Sequence, residues 1–466
     1  MTHSPPKQRP VRPINSGDQA DVVTRMGAYI VAARGKRAAA PAREAAFRCI
    51  LDLLTAAGAG IDEPGTRAVR GMALTTLGNG NVPVWFAGRC SSGIGAAWAN
   101  SAAAAALDLD DGHRLARGHP GAAVIPTAFA IAHEIGATLE ELISAIVIGY
   151  EVGVTVGAAR LSYGNTGTWS SYAVVATAAA LRRTPCDVLA HALAIAGESA
   201  PNQMFASAPV QNPAPEGSDV KEGIPWSVVT GLVALGLAEA GHTGPRNILG
   251  STLHYRFPNN LSLGSALHIC NVYFKLYACC RHVHAPLDAL LHLVDRHGID
   301  VDTIETINVE TYAGALRISN KSHPAHLVDV QYSIPYCLAL ALTAGAHVLL
   351  PLTASALSHD SAAELASRIT LSLDPMLDAR FPAETLARVT VTSAGQCFVS
   401  DITAPRGEAS HPLSWMALEA KFRAATRIIA TDVQQNHVLR AMAEARAGRL
   451  PALTDCLAGL ILSRSR

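Results

Sequence analysis

The chain has 466 residues, of which 49% are hydrophobic and only 16% charged, too long for one ordinary core and expected to divide into two or three domains. Its 37 basic and 37 acidic side chains cancel. No Lys/Arg-rich block or aromatic-interleaved basic patch occurs either, which removes the electrostatic case for a nucleic-acid or membrane-surface partner and leaves small-molecule chemistry or protein association.

In chain order, residues 1–18 contain Pro and Arg but no apolar run, so they predict a disordered tail and not a signal peptide. Ala-rich helical patterns follow at 19–35 and 41–58. From Leu107 the sequence reads LDLDDGHRLARGHPGAAVIPTAFAIAHEIGAT. Asp108, Asp110, Asp111, His113, His119, Arg114 and Arg117 fall within twelve positions there, between apolar segments, a pattern that predicts a polar site on a rigid apolar frame. Gly136, then Thr138 with Glu141 three positions on, predicts a helix stop followed by a capping box. The apolar run 142–156 is interrupted by Glu151 and glycines and predicts a buried helix, not a membrane span. Helices are expected at 173–183, 186–197 and 225–241. Between them, 197–224 is rich in Pro, Asn, Gln and Gly and predicts a long loop, often a functional feature in a compact domain.

After about residue 265 the pattern changes. Residues 304–312, 369–373 and 387–393 alternate apolar with polar side chains, are β-branched and predict strands. Helical pattern recurs at 285–297, 333–344 and 360–368, and again over 414–466. The expected architecture is multidomain and mainly α. A large all-helical domain built from both chain ends (19–265 and 411–466) carries a smaller inserted α+β domain (266–410).

Only six of the 37 basic residues are lysine, and a chain that prefers arginine keeps lysine where a compact, tunable ammonium is useful. Lys221 lies in the long loop, and Lys275 opens KLYACCRHVH, a second dense cluster with Arg281, His282 and His284. The alternative for each lysine is an ordinary solvated side chain. His282 and His284 lack metal-ligand spacing and read more simply as a structural pair, and the acidic DLDD run lacks the rest of a calcium loop. The nine cysteines are odd in number with no CxxC, which predicts reduced thiols in the cytoplasm. GxSxG, Walker and strand-linked GxGxxG signatures are all missing. The expectation is acid–base chemistry with no cofactor and no metal, with His119 as base because its ordinary pKa lies near neutrality.

The segments LDLDDGHRLARGHPG, GYEVGVTVGAARL, FKLYACCRHVHAPLDAL, DVQYSIPYCLALAL and HPLSWMALEAKF together resemble the MmgE/PrpD family, over nearly all of the chain after residue 20. That family includes 2-methylcitrate dehydratase, cis-aconitate decarboxylase and iminodisuccinate epimerase. The resemblance implies a homodimer, an active site in a cleft between the domains, and no metal. It maps Asp108 and His119 onto catalytic positions, Lys275 onto the KxYxCC lysine, Lys221 onto the lysine of the preceding loop, and Gln331 and Tyr332 onto the segment before a Pro-Tyr pair. Two departures stand out. DLDD and HPG are one residue further apart than in the decarboxylase pattern, so Gly112 or His113 occupies its Thr position. Gly164-Asn165 also stands where relatives often carry His-Pro before a TGT-like segment.

Losing that histidine removes a candidate acid for elimination but leaves a group able to move an α-proton. The expected function is therefore epimerisation of iminodisuccinate by 1,1-proton transfer. His119 would face a Lys275 whose pKa is lowered by cationic neighbours, with Asp108 tuning the pair. Lys221, Arg281, His113, His284, Gln331, Tyr332 and Tyr150 are assigned to substrate binding. Alternatives are a hydro-lyase or decarboxylase acting on tricarboxylates and, from another class, a non-catalytic helical binding protein. The expected partners are a small polycarboxylate and a second copy of the chain.

Overall fold

A computed structural model describes residues 21–162, 164–201 and 218–463. The predicted tail and most of the predicted loop at 197–224 lie outside these residues. The chain is mostly helical with a small sheet region.

One hydrophobic core is built by helices Ala40–Ala59, Gly93–Ala105, Gly121–Ile135, Leu139–Ala159, Gly167–Arg182, Cys186–Glu198 and Ile224–Glu239. Their small side chains let backbones approach closely. Helix Leu139–Ala159 meets helix Gly167–Arg182 through Gly149 and Gly153, where an added Cβ would lie 2.0 Å from Thr177 Oγ1 and 2.5 Å from Ala173 Cβ. This helix is long and apolar enough to cross a membrane by length and composition, but 83% of its apolar window is buried inside the fold. Its one interior carboxylate, Glu151, is satisfied by the backbone N–H groups of Gly264 (2.7 Å) and His268 (3.1 Å). The Thr138–Glu141 capping box forms as the sequence predicts. Helix Gly167–Arg182 starts six residues earlier than its apolar pattern, because Ser170 and Ser171 are buried and bonded, Ser170 to Ser227 at 2.6 Å.

The second core packs helices Arg281–His297, Ile334–Leu340 and Asp360–Ser367 on a four-stranded sheet. Strand Ile304–Thr311 is central, parallel to Ile369–Leu373 and antiparallel to Arg388–Ser393, which pairs with Gln396–Val399. Ile307, Val309 and Thr311 alternate inward as a period of two requires. A register shift between Ile304 and Thr306 lets Ile304 also face the core.

The C-terminal helices Trp415–Thr426, Asp432–Arg446 and Leu450–Gly459 return to the first core through Leu418, Phe422, Val438, Met442 and Leu453. Lys421 pairs there with Asp52 at 2.5 Å. Leu107 and Leu109, just beyond helix Gly93–Ala105, insert into the second core. The polar segment 108–119 is thereby held at the junction of the two cores.

Candidate active site

Three short devices shape the 108–121 segment. Gly112–His113 pairs antiparallel with Val272–Tyr273, Gly112 opposite Tyr273, which brings the acidic turn beside the strand that leads to Lys275. His113 and Gly118 close the next turn as a bridge. Asp111 then anchors the start of helix Gly121–Ile135. Its Oδ1 accepts from Gly121 N–H at 3.0 Å and its Oδ2 from the Tyr150 hydroxyl at 2.6 Å.

This anchoring fixes His119. Its Nδ1 lies 2.8 Å from the Asp111 carbonyl oxygen, an acceptor only, so Nδ1 carries a proton and Nε2 is the nitrogen left to exchange one. Nε2 lies 3.7 Å from Asp108 Oδ1, and Asp110 Oδ2 lies 3.7 Å from Nδ1. The His119 backbone N–H donates to Thr166 Oγ1, whose hydroxyl donates to Glu222 Oε2 at 2.7 Å.

Asp108 has a φ of +53°, in the left-handed region that Asp tolerates better than most residues. Lys275 holds it there, donating to the Asp108 carbonyl oxygen at 2.7 Å and to Oδ2 at 2.8 Å. Burial opposes the charge on Asp108, but Lys275, Lys221 and His119 hold its carboxyl well below the usual range. For Lys275 burial disfavours the ammonium, yet Asp108 and Asp110 outweigh it and raise its pKa. The expected lowering by cationic neighbours is thus corrected: Lys275 is a locked cation, not a poised base. Behind the turn, burial raises Asp111 to about 7 and Asp52 to about 6.

A cavity of about 270 Å³ opens at the junction. Of the residues picked out in the sequence, His119, His113, Lys221, Arg281 and Tyr332 line it. Lys221 donates to Gln331 Oε1 at 2.5 Å, lies 5.2 Å from the centre of the Tyr332 ring and 3.9 Å from Asp108 Oδ1. Tyr332 reaches the same oxygen through its hydroxyl at 3.4 Å.

The other assigned residues stand behind the wall. Asp108 and Lys275 form its buried backing. Gln331 braces Lys221 and donates to the Ala106 carbonyl oxygen. Tyr150 is spent on Asp111. His284 bonds the Cys279 carbonyl oxygen, and burial pushes its pKa well down. A direct substrate contact by Gln331, Tyr150 or His284 is therefore corrected to a supporting place. His113 lines the cavity, but burial and His268 lower it to about 3, so it is neutral at physiological pH and adds no cation.

Sequence reasoning missed other lining residues. Arg114, Arg117 and His282 lay inside the dense clusters, and Tyr273 stands two residues before Lys275, so proximity in sequence could have found them. Arg317 and Phe381 come from unremarkable segments brought in only by the fold. The lining carries Arg114, Arg117, Lys221, Arg281 and Arg317 against the carboxylates of Glu222 and Asp329, a balance suited to an anionic ligand. Among the described residues no group of three or more His, Cys, Asp or Glu is arranged to hold a metal ion.

The MmgE/PrpD N-terminal domain model matches residues 24–255 and the MmgE/PrpD C-terminal domain model matches residues 277–445. A cis-aconitate decarboxylase of Aspergillus terreus is 29% identical over 290 residues, 53% of this chain and 57% of the relative. A second, from strain NIH 2624 / FGSC A1156 of that species, is 29% identical over 286 residues with the same coverage. The chain thus spans little more than half the length of the curated relatives it matches.

Proposed function

The chain belongs to the MmgE/PrpD family, and from that premise we propose an acid–base enzyme that works without a cofactor and moves a proton at a carbon α to a carboxylate of a di- or polycarboxylic acid. The observation that carries this reading is His119, with its Nδ1 proton held on the Asp111 carbonyl and its Nε2 beside Asp108 at a cation-lined cavity. Nε2 takes the α-proton, and the carboxylates of Asp108 and Asp110 stabilise the resulting imidazolium. Lys221 and the cavity arginines stabilise negative charge developing on the substrate carboxylate.

Lyase chemistry ranks first. In a dehydration the electron pair left by the α-proton forms a carbon–carbon double bond while the C–O bond breaks, and hydroxide takes a proton and leaves as water. In a decarboxylation no α-proton is abstracted: a C–C bond breaks, carbon dioxide leaves, and the carbon keeps the electron pair until it receives a proton that His119 has taken up from solvent. The similarity to cis-aconitate decarboxylases supports this class. So does the Lys275–Asp108 ion pair, since the lysine once expected as the second base of an inversion is fully engaged.

One observation favours epimerisation of iminodisuccinate as the second reading. Gly164 and Asn165 stand where relatives often carry His-Pro, with Asn165 lining the cavity, and neither glycine nor an amide can protonate a leaving group. The opposite-face group would then be Lys221.

The deciding experiment is proton NMR in deuterated water with 2-methylcitrate, cis-aconitate and iminodisuccinate. A new alkene or loss of carbon dioxide supports the lyase. Deuterium at the α-carbon with neither change supports the epimerase. No reaction with any of the three acids counts against acid–base catalysis on this substrate class.

A further inference from the structure

Behind the cavity wall stands a carboxylate that the chain itself supplies. Glu408, in the connector between strand Gln396–Val399 and helix Trp415–Thr426, joins two cavity arginines. Arg114 Nε donates to Glu408 Oε2 at 2.8 Å, and Arg114 Nη2 and Arg281 Nη2 both donate to Oε1. The Tyr273 ring lies against both guanidiniums, 4.5 Å from Arg281 and 5.5 Å from Arg114. Arg114, Arg281 and Tyr273 line the cavity, and Glu408 sits behind them. Burial disfavours its charge, but Arg281 and Arg114 hold its pKa below the ordinary glutamate value, so it is ionised at neutral pH.

The connector that carries Glu408 is pinned on both sides. Arg406 donates from N and Nε to the two carboxylate oxygens of Asp288, each at 3.0 Å. The Gly407 carbonyl oxygen accepts from Phe274 N–H at 2.9 Å. Gly407 has a φ of +80°, and a Cβ there would lie 2.3 Å from Phe274 O, so only glycine suits this turn. Arg281 also donates to the Arg406 carbonyl oxygen at 3.0 Å. Glu408 is therefore a fixed counter-charge and not a swinging gate.

We propose that Glu408 is a specificity-determining residue. By placing one negative charge on the Arg114–Arg281 pair, it leaves that wall with a single net positive charge and limits how many carboxylates the cavity binds well. The inference rests on the polycarboxylate reading above. With Glu408 neutral, each substrate carboxylate near the wall meets one more uncompensated cation, and the gain grows with the number of carboxylates.

The test is calorimetric binding of succinate and citrate at fixed pH and ionic strength, which needs no turnover. Glu408→Gln keeps the shape and one accepting oxygen, enough for the site shared by the two arginines, while removing the charge and the second acceptor. It is expected to tighten citrate by about tenfold and succinate by roughly threefold at low salt. The double variant Arg114→Gln/Glu408→Gln returns the wall to one positive charge and is expected to bring the citrate-to-succinate ratio back towards wild type, which a merely structural role of Glu408 does not predict. An unchanged ratio in Glu408→Gln, with both acids still bound, overturns the role of Glu408 alone. A double variant that keeps the ratio of Glu408→Gln also overturns it. Failure of wild type and variants alike to bind either acid overturns the polycarboxylate reading and this inference with it.

Discussion

Lys275 and Asp108 meet twice, the ammonium donating to the carboxylate at 2.8 Å and to the carbonyl oxygen of the same residue at 2.7 Å, and Lys275 is completely buried. One lysine thus fixes both the charge and the left-handed backbone of the acidic turn. Removing it leaves a buried carboxylate without its strongest partner. Lys275→Met is expected to cost about 3–5 kcal/mol of stability. Adding Asp108→Asn should recover part of that loss, since the two residues are coupled. Chemical unfolding of the three proteins checks this, and a single variant within about 1 kcal/mol of wild type contradicts it.

His119→Asn keeps an N–H donor near the Asp111 carbonyl but has no basic nitrogen. The expected result is near-native unfolding with turnover reduced about 10²–10⁴-fold on the substrate identified by NMR. Steady-state kinetics on the folded variant provide the check. A kcat within tenfold of wild type removes His119 from the proton transfer.

The pH dependence follows from Asp111. Burial raises its pKa to about 7, with Tyr150 opposing and Asp52 and Asp110 adding to the rise. A raised folded-state pKa means that the folded protein holds the proton more tightly than the unfolded chain. Its stabilising contribution is complete below the unfolded value near 4 and is lost as pH rises through about 7. Asp111→Asn mimics the protonated form and should titrate out of this linkage. Between pH 5 and 8 the stability of the variant is expected to improve relative to wild type. Thermal unfolding of both proteins across that range measures it, and a difference independent of pH contradicts the assignment.

We propose that the chain associates as a homodimer through helix Ile224–Glu239. Trp226, Val233 and Leu237 share one face of this helix and are exposed, and Trp226 meets Trp98 edge-on at 5.5 Å between ring centres. An association of this kind should bury more than about 2,000 Å² in total. Sedimentation at micromolar concentration is expected to give a dimer for wild type and a monomer for Trp226→Glu. A wild-type monomer contradicts the proposal, and a Trp226→Glu dimer moves the interface elsewhere.

Much of the fold was legible because it depends on local rules. The Thr138–Glu141 capping box involves side chains three residues apart, strand Ile304–Thr311 shows its twofold alternation in the sequence, and the helical period over the last fifty residues needs no distant partner. The dense polar segment from Asp108 to His119 was conspicuous because its neighbours on both sides are apolar. Direction and charge state were not legible in this way. Lys275 is a locked cation because the pairing of Gly112 with Tyr273 sets its ammonium behind Asp108, and the sign of its pKa shift is the balance of burial against two carboxylates. His113 and His284, read as polar contacts, are neutral because the folded core withholds water from them. Arg317, Phe381 and Glu408 reach the site from segments with no motif. The sequence determined that the dense polar clusters at Asp108–His119 and Lys275–His284 lie between apolar segments, since local pattern and composition encode that much. Only the tertiary structure decided which of their residues face the cavity, which carry charge and which neutralise one another, because those properties arise from contacts between residues far apart in the chain.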